Sequence, residues 1–174
     1  YIPHHIFNGI VITAIAVNDD VWLEKFIEKY KGDIEPEYYN DVYNLNLAKL
    51  LFYRRNYYLS LKYLNNVEYK NPNYFINAKA ILLKTLYEMG DTEGISYTLD
   101  SLKHYIYRNN TLVDQQVHNI KMMIKYFKYL VKLKNKDTVA LQKFLEMLNR
   151  ERSFVPEKNW LTEKITELNS IQLA

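Results

Sequence analysis

Apolar residues recur at spacings of three and four along nearly the whole chain, and short polar turns cut that pattern at helix-length intervals. Spacing of this kind puts the apolar side chains on one stripe of an α-helix. After Asn18-Asp19-Asp20, a run places Trp22, Leu23, Phe26, Ile27 and Tyr30 on one side and closes at Gly32-Asp33. Pro36 suits the first turn of the next helix, whose apolar set to residue 53 is Tyr39, Val42, Tyr43, Leu47, Leu50 and Leu51. Arg54-Arg55-Asn56 reads as a turn, and a partner helix with Leu61, Leu64 and Val67 ends before Asn71-Pro72. A helix over 73–89 stops at Gly90-Asp91, and its partner carries Ile95, Leu99, Leu102 and Ile106. A long helix follows over 112–133, then a break at Asn135-Lys136-Asp137 and a return helix over 139–148. The last helix, after Pro156, carries Trp160, Leu161, Ile165 and Leu168.

Strands are not expected. Only four Gly and four Pro occur, and the single Asn-Gly, at Asn8-Gly9, lies in an apolar stretch without alternation. With 48% hydrophobic and 25% charged residues the chain has enough apolar surface to fold. No linker rich in Gly, Ser or Pro divides it, so one continuous domain is expected. The absence of Cys excludes disulfides, thiolate metal sites and cysteine nucleophiles. The 17 Tyr residues are expected mainly between packed helices.

The stretch from Ile6 to Val17 has no charged residue, yet it is too short to span a bilayer and lacks the basic leader of a signal peptide. It reads as a buried helix whose cover lies upstream, which predicts that the chain is the C-terminal part of a longer protein, or a processed form of one. An uncapped first helix also offers a surface for self-association.

Residues 39–72 resemble a tetratricopeptide repeat, a pair of antiparallel helices in 34 residues. Leu47-Ala48 and Leu51 match the first helix, Asn56-Tyr57 the turn, Ser60, Leu64 and Val67 the second helix, and Pro72 the terminating proline. Small side chains at Ala48 and Ser60 would let two backbones approach closely. Weaker matches surround this repeat, and Ile95 replaces the usual small residue in the next one, which predicts looser or shifted packing there. The resemblance implies an all-α fold: an α-α superhelix of about four helix pairs (4–31, 36–72, 73–108, 112–150) with a capping helix over 157–170. In that helix Glu163, Lys164 and Glu167 are expected to face solvent. Another stacked array of helix pairs fits the same pattern.

In such an array the first helix of each pair lines a concave groove. The resemblance places Lys49, Phe52, Tyr53, Lys84, Tyr87, Lys125, Tyr129 and Lys132 there, a mixture of Lys and Tyr suited to an acidic or aromatic peptide. It does not reproduce the carboxylate clamp of tetratricopeptide co-chaperones. Catalytic motifs are missing: no phosphate-binding glycine loop, no HExxH, no GxSxG. His4 and His5 are adjacent and point about 100° apart on a helix, and His104 and His118 stand alone, so no metal site and no cofactor is expected. Glu35, Glu37 and Asp41 suit a helix start, where negative charge favours the dipole.

A non-enzymatic scaffold binding a protein or peptide is therefore the leading expectation, with cytoplasm as the default location. The alternative is a nucleic-acid or anionic-surface binder using Lys121, Lys125, Lys128 and Lys132, which share one helix face with Tyr126 and Tyr129 nearby. A net charge of only +3 makes nucleic acid the less favoured partner.

Overall fold

A computed structural model describes residues 1–68, 71–133 and 138–173, with side chains to residue 170. Among the described residues the fold is all-α, with nine helices: α1 (His4–Ala16), α2 (Asp20–Tyr30), α3 (Tyr39–Tyr53), α4 (Tyr57–Leu64), α5 (Pro72–Met89), α6 (Thr92–Arg108), α7 (Asp114–Leu133), α8 (Thr138–Arg150) and α9 (Lys158–Leu173). Two 3₁₀ turns, Lys31–Asp33 and Pro36–Tyr38, join α2 to α3. The only β pairing among these residues is an isolated bridge between Ile2 and Ile34. The break expected at Asn135-Lys136-Asp137 lies outside the described residues.

The chain divides into two compact units, Tyr1–Asp91 and Thr92–Ala174. The boundary falls at the Gly90-Asp91 turn, inside the pair expected over 73–108.

In the first unit α1, α3 and α5 end in the same way. Asn18, Arg55 and Gly90 take left-handed backbone, with φ of 60°, 58° and 76°. The following N–H then reaches back five residues: Asp19 to the Ala14 carbonyl (3.1 Å), Asn56 to Leu51 (2.8 Å) and Asp91 to Leu86 (2.9 Å). Each turn satisfies carbonyls that the helix end would otherwise leave unpaired. At two of them the next residue caps the following helix. Asp19 accepts from the Trp22 N–H (3.1 Å) and Asn56 from the Leu59 N–H (3.3 Å). At α5, Asn71 accepts from the Asn73 N–H (2.8 Å) and Pro72 occupies the first turn.

Helix α3 sits at the centre of this unit and packs against α1, α2, α4 and α5. Val42, Leu45, Ala48 and Leu50 are buried, and so are Asp41, Asn44, Asn46 and Lys49. The expected apolar face is therefore only partly right. Leu45 joins the core while Leu47 and Leu51 are half-buried, because a helix enclosed on several sides has no single solvent stripe. Ala48 and Ser60 are fully buried, and the Ser60 Oγ donates to the Ala48 carbonyl at 2.9 Å. Such a bond brings side chain of α4 onto backbone of α3, as a small residue at a close crossing should.

Helix α1 is apolar on more sides than this unit covers. Only Phe7, Val11 and Ala14 of it are buried, whereas Ile6 and Ile12 are exposed, as is Val17 just beyond its end. It is covered on one stripe rather than all round.

In the second unit α6 packs on α7, and α7, α8 and α9 pack together. Their apolar and polar faces are well separated. Ile120, Met123, Tyr126, Phe127 and Leu130 of α7 are fully buried, as are Leu141 and Leu148 of α8. Trp160, Leu161 and Ile165 of α9 point inward as expected, and the Trp160 ring stacks on Phe127 with centroids 5.5 Å apart. Glu163 and Glu167 are exposed, but Lys164 is mostly covered and pairs with Glu167 at 2.7 Å. Ile95 is buried and lines a cleft between α6 and α7.

Candidate interaction surfaces

An apolar opening lies along α1 and α2. Ile6 and Val17 are exposed there, and Trp22, expected on the inner side of α2, is 47% exposed. A groove of about 550 Å³ runs between the two helices, lined by Ile6, Gly9, Ile10, Thr13, Val17 and Trp22. Its shape follows from local structure. The Asp19 cap starts α2 at Asp20, and Trp22 is held by stacking on Phe26 at 5.2 Å with ring planes 14° apart. Gly9 has ordinary helical backbone, and a Cβ placed on it would meet nothing within 4 Å. The groove floor is therefore open to an approaching chain. Scattered exposed apolar residues are normal on a folded protein; here Ile6, Val17 and Trp22 share one groove.

A polar chain runs through the first unit. Asn46 donates to Asn8 Oδ1 (2.7 Å), Asn8 donates to the Tyr74 hydroxyl (3.2 Å), and Lys49 Nζ donates to Asn46 Oδ1 (3.3 Å). Burial pushes the Tyr74 phenol up to about 12. Beside Tyr74, whose ring centre lies 5.9 Å from that of His4, Glu35 accepts from the His4 backbone N–H (3.1 Å) and lies 2.8 Å from His4 Nδ1. These bonds to His4 hold its carboxyl below the usual range. Pro3 gives α1 no side-chain cap, so Glu35 supplies an acceptor from a distant loop. Asp41 has a comparable duty, accepting from the Glu68 N–H at 2.7 Å. For Glu35 and Asp41 the helix dipole alone is thus an incomplete explanation.

The residues expected to line a groove fall in both units. In the first, Lys49 and Lys84 are buried, at 9% and 8% exposure, and Lys84 Nζ lies 4.8 Å from the centre of the half-buried Phe52 ring. Tyr53 is exposed at its edge and hydrogen-bonds Asn18 through its hydroxyl; Tyr87 is half-buried. In the second, Lys132 and Tyr129 are exposed, and Tyr129 packs 6.2 Å from Phe144.

Lys125 differs from the other lysines of its helix face. Its Nζ is 3.0 Å from Glu151 Oε2 and 4.8 Å from the centre of the Tyr126 ring. Glu151 also accepts from the Tyr126 hydroxyl (3.1 Å) and the Ser153 hydroxyl (2.8 Å). Hydrogen bonds from Ser153 and then Lys125 pull its carboxyl down to about 2, while Lys125 is raised in return. Lys121, Lys128 and Lys132 remain exposed on that face. Nothing in the local sequence announces Glu151 as a partner, since it comes from the segment after α8, 26 residues away.

Other titratable groups have structural roles. His118 Nε2 lies 3.0 Å from the Phe154 carbonyl. Among the described residues no three His, Cys, Asp or Glu converge to hold a metal ion, and no helix is long and apolar enough to cross a membrane. Comparison with known protein families, curated proteins and solved structures finds no match to this chain.

Proposed function

We propose that this chain is a non-enzymatic protein-interaction module of the tetratricopeptide-like kind, an α-α superhelical array that recognises a partner helix or peptide. The exposed apolar face of α1 and α2 carries the reading: water is excluded from it only when another apolar surface covers it. An amphipathic helix laid along the groove is the occupant whose shape and chemistry suit it. The left-handed turns at residues 18, 55 and 90 support the repeat character, because they recur at close to the 34-residue period. The Ala48–Ser60 crossing supports it too. Lys49, Phe52, Tyr53, Lys84 and Tyr87 would shape a groove in residues 1–91, and Lys125, Tyr129 and Lys132 a surface in residues 92–173.

The test is capture of partners by the purified chain beside an Ile6→Glu/Trp22→Ala variant, both positions lining the groove. Both positions are exposed, so the fold tolerates the changes. Loss of two apolar anchors should weaken a specific partner by about tenfold or more. Identical partners recovered at identical yield by both proteins would count against an interaction role for this face.

A further inference from the structure

The charge of the chain is unevenly distributed. Residues 1–91 carry ten Lys and Arg against 11 Asp and Glu, whereas residues 92–174 carry 13 against nine. Part of the excess gathers where α6 passes α7. Lys103 Nζ is 2.6 Å from Asp100 Oδ1, so that pair is internally neutral. The Lys103 ammonium is close enough to Lys128 to hold it below the usual lysine range, and Lys132 adds to the effect. Like charges this close repel unless an anion lies between or beside them.

Beside this cluster a cleft of about 250 Å³ opens between the two helices. Thr92 and Ser96 line it from α6, and Lys128 and Lys132 from α7, over Leu99 and Val131. Hydroxyl donors, two cations and an apolar floor thus meet in a space the size of one or two side chains.

We propose that the α6–α7 cleft docks an acidic peptide segment of a partner protein, its carboxylates at Lys128 and Lys132 and one apolar side chain on Leu99 and Val131. This rests on the reading of the chain as a protein-binding module and names partner chemistry at a second surface. Peptide suits the cleft better than nucleic acid for two reasons. No aromatic ring lines it to stack a base, and Asp100 at its wall would repel a continuous phosphate backbone. A short acidic segment can place its charges at the two lysines and avoid Asp100.

The experiment is fluorescence anisotropy of the full chain with a labelled peptide of repeating Glu-Glu-Leu units, beside its Gln-Gln-Leu counterpart and a single-stranded oligo-dT. The Glu peptide should bind, and the Gln peptide should lose about tenfold or more. Lys128→Gln/Lys132→Gln should lose a similar factor, whereas Lys121→Gln, on the same helix outside the cleft, should change affinity less than about twofold. Circular dichroism of each variant checks the fold. The Ile6→Glu/Trp22→Ala variant should bind the peptide like the parent chain, so failure at the cleft and failure at the α1–α2 face are told apart. Three results would overturn the proposal: no binding of the Glu peptide up to about 1 mM, equal losses from Lys121 and the Lys128/Lys132 pair, or oligo-dT displacing the peptide.

Discussion

Residues 1–91 and residues 92–173 solve the same problem, packing helices side by side, with different interiors. The first unit encloses polar groups: Asp41, Asn44, Asn46, Lys49, Ser60, Lys84 and Thr85 are all buried. Among the described residues of the second unit only Thr98 is buried and polar. A polar interior demands particular partners, because each buried group left unpaired costs about 1–3 kcal/mol. An apolar interior demands only volume and shape. The first unit should therefore be the more exacting about which residues it accepts, and the second the more sensitive to lost volume.

The largest effect is expected in the second unit. Phe127→Ala removes a fully buried ring that stacks on Trp160, and should cost about 3–5 kcal/mol. Urea unfolding followed by Trp160 fluorescence in a Trp22→Phe background measures it; a loss under about 1 kcal/mol would mean that this interior is not tightly packed. Next comes the close crossing of the first unit. Ser60→Leu inserts a larger side chain against the Ala48 carbonyl and should cost about 1–3 kcal/mol. If thermal unfolding shows no change, α3 and α4 can separate freely and the exacting character assigned to this unit is wrong. A smaller change of opposite sign is expected at Arg55, a non-glycine residue at φ 58°. Arg55→Gly relieves the left-handed strain and should raise stability by up to about 1 kcal/mol. A destabilised variant would show that the arginine side chain contributes more than its backbone costs.

The smallest effect concerns acid. The folded-state carboxyl of Glu151 lies at about 2, below its value in an unfolded chain. Its contribution is therefore present at pH above the ordinary glutamate range, and is lost as pH falls toward about 2. Solvent around this side chain screens the effect. Glu151→Gln should flatten part of the decline in urea midpoint across that window; an unchanged slope would show that the Lys125, Tyr126 and Ser153 contacts do not favour the ionised form. Glu35, also lowered, gives the first unit a share of the same acid sensitivity through its contacts with His4.

The two units also differed in how readily they could be read from sequence. α9 announces its inner face, since Trp160, Leu161 and Ile165 recur in one stripe against polar neighbours. α3 does not, because helices on several sides turn most of its surface into interior and place Asn46 and Lys49 beside Leu45. Trp22 was misplaced for the opposite reason. It fits the apolar stripe of α2, but nothing among the described residues covers its outer edge enough to bury it. The candidate surfaces were legible only in part. Lys132 and Tyr129 could be placed on a face by spacing, but spacing could not foresee that Glu151 would claim Lys125 or that Lys103 would come close to Lys128.

Sequence alone determined most helix boundaries, because caps, left-handed turns and prolines act through neighbouring backbone; the exception is α4, which ends at Leu64 and leaves Val67, expected within it, beyond the helix. Asp19, Asn56, Asn71 and Gly90 do their work within a few residues of themselves. Which faces became interior, which lysines kept their charge exposed and which apolar side chains were left uncovered along α1 and α2 were decided by tertiary structure. Those outcomes depend on groups brought together from distant positions, and a helical stripe specifies only that it needs a partner, not which one it meets.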